Sequence, residues 1–175
     1  MTNVWGQMYF KIIGHEIGDM ACGEFGEGKM TEPNEIIKQI EAYFLNFNKT
    51  KKFKALVTAG PTYEYIDPVR FITNKSSGKQ GFELAKALSK KGFETTLISG
   101  PTNLKANNNI NLIQVETAEE MFKSTQNNLP VDVAIFSAAV ADFKIKEKKK
   151  EKIKKKDYIN LNLEKNIDIL NYVSN

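Results

Sequence analysis

The chain has one cysteine, one histidine and one tryptophan in 175 residues. A lone thiol, Cys22, cannot close an internal disulfide, so nothing argues for an oxidising compartment. With a single histidine, His15, there is no basis for a zinc site or for a Ser/His or Cys/His nucleophile pair. No stretch approaches the roughly 20 apolar residues of a membrane span, and the start "MTNVWGQMYF" has neither the basic opening nor the apolar run of a signal peptide. The expectation is a cytoplasmic protein with no membrane partner. Two phosphate-binding signatures are also missing. Between Gly60 and Gly81 there is no G-x-G-x-x-G, and no acidic residue closes the strand "ETTLIS", which disfavours a dinucleotide oxidoreductase. Gly78-Lys79 is followed by Gln80 where a P-loop needs Ser or Thr.

The net charge of +4 and the pI near 9.0 come from one place. Lys144 to Lys156, "KIKEKKKEKIKKK", holds nine lysines against two glutamates, a local +7 that leaves the rest of the chain at −3. The tract contains no aromatic residue and no arginine, so a nucleic-acid surface is not expected, and most of its lysines read as a solvated, mobile run.

What the sequence does contain is an α/β pattern. "FKALVTAG" (53–60), "FETTLISG" (93–100) and "VDVAIFSAAV" (131–140) are short apolar runs of the kind that form buried parallel strands. Between the first two, "GFELAKALSKKG" places Phe82, Ala85 and Leu88 on one side of a helix that Gly92 ends. Before the third, "TAEEMFKSTQNN" offers Thr117 and Glu120 as a capping box. The fold expected is a partial Rossmann-like, three-layer parallel sheet, one half of a doubly wound sheet. Loops leaving the carboxyl ends of its strands share one edge. "TAGPTYEYIDPVR", "SGPT" and "SAAVADF" should therefore line a common crevice, where a ligand belongs. Residues 1–48 differ in character: glycines 14, 18, 23, 26 and 28 crowd the cysteine, and a helix is entered at Pro33. They read as a Gly-rich flap and helix joined by a polar linker to residues 49–175.

The first loop, about 20 residues long, exceeds what a compact fold needs for connection alone. "IDPVRFITNKSSGKQG" carries Asp67, Arg70, Asn74, Ser76, Ser77, Gly78 and Lys79, and with Gly60 it suits an anion approached by backbone N–H groups at a helix start. A purely structural account of the same residues is an Asp67–Arg70 ion pair, serines capping the helix and Asn74 in a turn. In "SAAVADF", small residues admit a flat ring near the backbone, and Asp142 offers a carboxylate for a metal ion beside phosphates. A flexible flap carrying a thiol is the reading of Cys22.

Taken together, "VTAGPTYEYIDPVRFITNKSSGKQG", "SAAVADF" and "KIKKK", in that order between Val57 and Lys156, closely resemble the ligase half of the bifunctional phosphopantothenoylcysteine decarboxylase/phosphopantothenate–cysteine ligase family of coenzyme A biosynthesis. "GDMACGEFGEGKMTEP" is similar to the end of the preceding decarboxylase half. The resemblance implies that phosphopantothenate attacks CTP, giving an acyl-cytidylate and pyrophosphate, and that cysteine then displaces CMP. It implies Mg²⁺ on the triphosphate and, in complete members, FMN. By matching position, Asn74 handles the acyl-nucleotide, Lys152 assists its formation, Ala138 and Ala139 face the cytosine, and Asp142, Asn166 and Asp168 belong to the nucleotide site. Cys22 matches the flap cysteine that donates a proton after decarboxylation. Gln80 stands where the family usually has methionine, Lys29 where it has arginine, and "NIDI" (166–169) lacks the family's proline. The flavin-binding body would precede Met1, and the segment for dimer contacts and for gripping the substrate phosphate would follow "NYVSN". The expected state is accordingly a homo-oligomer in the complete enzyme, or a non-catalytic fragment or split subunit that works with a complementing chain.

Overall fold

The computed structural model describes residues 15–19, 25–44, 52–155 and 160–174, so Cys22 and Lys156 lie outside the described residues. The chain divides into two compact units, Met1–Lys51 with Asn171–Asn175, and Lys52–Leu170. In the first, β1 (His15–Asp19) pairs antiparallel with β2 (Phe25–Met30), with an irregularity in register at Glu16/Ile17. Helix α1 (Pro33–Phe44) starts at Pro33 as expected and buries Ile36, Ile37 and Ile40, three positions that share one helical face.

The second unit is built on four parallel strands in the order β7-β6-β3-β8. The strands are β3 (Lys54–Ala59), β6 (Glu94–Ser99), β7 (Ile110–Gln114) and β8 (Val133–Phe136). β3 has neighbours on both sides and helices over both faces, which is why it reads as a continuous apolar run. Its side chains alternate. Leu56 joins Ile98, Val115 and Met121 in a core under α3 (Ala118–Asn127), whereas Ala59 sits where a Cβ on Gly81 of α2 (Lys79–Lys90) would meet its methyl. This is the three-layer Rossmann-like architecture.

The local signals act as their chemistry dictates. The Thr117 side chain accepts from the Glu120 N–H and Glu120 accepts from the Thr117 N–H, closing the capping box of α3. Gly92, at φ 89°, ends α2: its N–H reaches the Ser89 carbonyl and the Phe93 N–H reaches the Leu88 carbonyl, the two bonds of a Schellman stop. Phe82, Ala85 and Leu88 are buried as expected, together with Leu84.

Several elements were not foreseen. β7 lies between β6 and α3, so the expected strand–helix–strand order gains a parallel strand reached through residues 100–109 with no helix. The long first loop contains a hairpin, β4 (Tyr63–Tyr65) with β5 (Phe71–Thr73). β9 (Phe143–Ile145) pairs antiparallel with β10 (Leu163–Lys165), and the short α4 (Ile169–Ser174) begins on the buried Ile169. The third expected strand, 131–140, is a ladder only over Val133–Phe136; beyond it the chain crosses onto the loop after β3.

Candidate functional site

The three loops predicted to share one edge do share it. Gly100 N–H donates to the Ala59 carbonyl at 2.9 Å, Ala139 N–H to the Gly60 carbonyl at 2.8 Å, and Ala141 N–H to Thr62 Oγ1 at 3.0 Å. Gly60 and Gly78 both take positive φ, 74° and 73°. A Cβ on Gly78 would lie 2.8 Å from the Thr102 methyl and 3.2 Å from the Gly60 Cα, so the turn after β3, the start of α2 and the loop after β6 meet where only glycine fits. Gly81 extends the same close approach: a Cβ there would stand 2.6 Å from Ser137 Oγ.

The serines do not cap α2. Gly78 is the cap residue and has no side chain with which to cap the helix; Ser76 Oγ accepts from the Gly78 N–H at 3.2 Å and Ser77 Oγ from the Lys79 N–H at 3.4 Å. These bonds shape the backbone leading into the helix start, where first-turn N–H groups and the positive end of the helix dipole favour an anion. At the carboxyl ends of β3 and β8 lies a cavity of about 330 Å³ whose lining includes Thr58, Ala138, Ala139, Asp142, Asn166 and Asp168. Asp142 is exposed, with no hydrogen bond or ion pair to its carboxylate from the described residues. Asn166 ties the β9–β10 ribbon to this wall, its N–H on the Asp142 carbonyl at 2.7 Å and its side-chain amide on the Ala141 carbonyl at 3.0 Å. Among the described residues no three His, Cys, Asp or Glu side chains cluster as metal ligands. A second cavity, about 310 Å³, opens at the amino ends of β3 and β6, the opposite edge of the sheet.

Asn74 joins this group. Its Nδ2 donates to the Val140 carbonyl at 3.0 Å, across 66 residues of sequence. An amide nitrogen carries two protons, so one remains to donate elsewhere.

Asp67 and Arg70 are placed differently from the anion-facing role expected of them. The Asp67 side chain is fully buried and receives the N–H groups of Val69 and Arg70, both at 2.9 Å, and of Ile153 at 3.0 Å, as well as the Arg70 guanidinium. Arg70 in turn donates to the Ile153 carbonyl at 2.8 Å. The carboxylate is spent on the chain itself and the ion pair of the structural account is real, with Ile153 as an addition. Burial pushes this carboxyl up, but the Ile153, Arg70 and Val69 donors outweigh it and hold it well below the usual carboxylate range. The stabilisation is therefore complete above an ordinary carboxylate pKa of about 3.9 and drains away as pH falls toward the lowered folded value. We expect thermal stability to decline from about pH 4 downward, and Asp67→Asn to flatten that limb in pH-dependent melts.

The lysine tract is correspondingly not a free run. The Lys148 ammonium lies 4.6 Å from the Tyr65 ring centroid, and the Lys149 N–H donates to the Ile66 carbonyl at 3.0 Å. Lys152, next to Ile153, is exposed.

Residues 50–175 match the DNA/pantothenate metabolism flavoprotein C-terminal domain. The chain belongs to this family. A curated member, the coenzyme A biosynthesis bifunctional protein CoaBC of Haemophilus influenzae, is 43% identical over 165 residues, 93% of this chain but 41% of that protein. The chain thus spans less than half the length of the relative. The crystal structure of the C-terminal domain of a CoaBC protein superposes with a TM-score of 0.58 at 41% identity, covering 69% of this chain and 57% of that one. The DNA/pantothenate metabolism flavoprotein of Streptococcus pneumoniae does so with 0.61 at 28% identity, covering 70% and 64%. Membership in this family and the likeness to these solved domains bear out the Rossmann-like fold.

Proposed function

We propose that residues 49–175 are the nucleotide-binding part of a cytoplasmic phosphopantothenate–cysteine ligase that uses CTP, and that residues 1–48 are the end of a decarboxylase domain. The observation that carries this reading is the junction at the carboxyl end of β3, where Gly60 packs on Gly78 and its carbonyl holds Ala139, a wall residue of the cavity that Ala138 and Asp142 also line. The first half suits a triphosphate and the second a flat base approached by backbone.

The roles then follow from chemistry. Ser76, Ser77, Gly78 and Lys79 hold the triphosphate at the start of α2, while Ala138 and Ala139 face the cytosine. Asp142 and the triphosphate oxygens suit Mg²⁺, which keeps several waters and takes one or two carboxylates plus substrate phosphates. Bound there, the ion would supply positive charge to offset that of the triphosphate. Lys152 brings a cation to the α-phosphate as the phosphopantothenate carboxylate attacks and the acyl-cytidylate forms. Asn74, oriented by Val140, donates to the oxyanion that develops when the cysteine amine adds to the acyl carbon and CMP departs. Asn166 and Asp168 complete the nucleotide wall from the β9–β10 ribbon. FMN belongs to a decarboxylase body outside this sequence, with Cys22 as the proton donor of the flap. Because the chain spans 41% of its relative, a second form of the proposal is a split subunit completed by another chain, or by a second copy as a homo-oligomer.

Thermal melts with Mg²⁺ and either CTP or ATP test the reading. CTP at about 100 times its dissociation constant adds roughly 2.7 kcal/mol and raises Tm by about 5 to 10 °C. ATP is expected to give less than half that shift. Equal shifts would overturn the base selectivity, and none with either nucleotide would overturn a formed site in this chain.

A further inference from the structure

The hairpin tip between β4 and β5, residues 66–70, touches the lysine tract at two backbone positions. The Ile66 carbonyl takes the Lys149 N–H, and Asp67 with Arg70 takes both the N–H and the carbonyl of Ile153. The N–H that Asp67 receives belongs to the peptide link between Lys152 and Ile153. Few devices fix a lysine's backbone more directly. The Asp67 carboxylate is buried and wholly satisfied within the chain, whereas the lysines it governs are exposed. Such a buried charge is costly unless it is fully paired, and here the pairing is completed by a residue 86 positions away in a tract whose composition alone specifies no conformation.

The hairpin is itself stiff. Tyr63 stacks on Phe71 with ring centroids 3.9 Å apart, and Tyr65 meets the Phe71 ring edge-on at 5.8 Å. The Tyr65 hydroxyl donates to Glu116 at 2.6 Å, and that bond raises its pKa to about 12, so it stays a donor at neutral pH. The Tyr63 N–H holds the Glu116 carbonyl at 2.7 Å. Directly after β5 stands Asn74, bonded to the cavity wall at Val140. One rigid element therefore grips the wall with its base and the lysine tract with its tip.

We propose that the β4–β5 hairpin is a jig for the site, with Asp67 and Arg70 as positioning residues that latch the Lys152–Ile153 peptide and so present Lys152 to the polyphosphate. The second half rests on the ligase reading; the first half does not. The latch fixes the distance between Asn74 and Lys152, one acting in each half-reaction, by a scaffold independent of the substrates.

Two variants test the latch on the chain itself. Asp67→Asn weakens it from the hairpin side. Ile153→Pro removes the donor N–H from the tract side, together with the isoleucine side chain and some backbone freedom at 152–153, and keeps the test alive should the first variant misfold. Amide hydrogen exchange across residues 148–155 should accelerate about tenfold or more in each, with β3 and β6 exchanging as in the parent. Unchanged exchange in that segment overturns the latch. Binding of Mg·CTP then tests what the latch is for. Lys152→Ala should weaken it about tenfold, as expected for loss of a charge-assisted hydrogen bond, and Ile153→Pro by a similar factor. Combining the two should add nothing further, because both act through one ammonium. Independent, multiplying losses would mean that the latch does not work through Lys152. A Lys152→Ala chain that binds CTP as tightly as the parent, or a parent that does not bind it, overturns the role given to Lys152 and counts against the ligase reading, while the exchange result still decides the latch.

Discussion

Gly100→Ala is expected to cost roughly 4 kcal/mol or more, among the largest effects a single methyl group can have. A Cβ at Gly100 would stand 1.7 Å from the Pro61 carbonyl oxygen and 2.8 Å from its carbon. Both are backbone atoms, so no side chain can swing aside. To admit the methyl, the loop after β6 must part from the loop after β3, breaking the Gly100 to Ala59 bond and disturbing the wall that Pro61 shares with Ala139. For a chain of this size the loss corresponds to a Tm lower by about 10 °C, read by circular dichroism. Gly92→Ala is the matched control. That glycine also has a positive φ, 89°, but no atom lies within 4 Å of the added Cβ, so only the backbone strain of about 1 kcal/mol is expected. Equal destabilisation by the two would show that the crossing loops yield without cost.

Asn74→Ala should lower the rate of phosphopantothenoylcysteine formation by about 10² to 10³, the usual consequence of removing one donor aimed at a developing oxyanion. The side chain is exposed and gives up a single bond to Val140, so the fold should melt within a few degrees of the parent. The measurement is best made in a chimera in which residues 50–175 replace only the matching residues of the Haemophilus influenzae relative, the rest of that protein being kept, supplied with phosphopantothenate, CTP, Mg²⁺ and cysteine. Pyrophosphate release should suffer less than product formation. A variant that forms product at the parental rate would remove Asn74 from the chemistry. Asn74→Asp should be as damaging as alanine, because a carboxylate offers no proton to an oxyanion and faces the Val140 carbonyl with a second acceptor.

The parallel core and its edge of loops were legible because burial on both faces leaves a plain mark: β3 carries Ala55–Val57 and Ala59, β6 carries Leu97 and Ile98 among short threonines and a serine, all of a size to be buried, and the helices carry their own stops and caps. β7 left a weaker mark. Its five residues, "INLIQ", are half-exposed and follow an asparagine-rich stretch, so they satisfy neither the buried nor the strictly alternating pattern. The β4 and β5 strands are three residues each and take their stability from stacked rings and from Glu116, far along the chain. Of the site, the glycines and small residues could be read because close backbone approach demands them. The fate of Asp67 and Arg70 could not. As neighbours in sequence they suggest a pair, but their third partner is more than 80 residues away in a tract whose monotony hides one isoleucine with a fixed place.

Arg70 is the only arginine in the chain, and it is committed to Asp67 and Ile153. Every remaining permanent cation is therefore an ammonium, a compact and strongly hydrated charge without the planar fork that grips two phosphate oxygens at once. Reagents that distinguish the two groups should consequently separate architecture from ligand capture: a dicarbonyl that consumes guanidinium would unfasten the tract, whereas mild acylation of amines would silence anion binding in a protein still correctly folded.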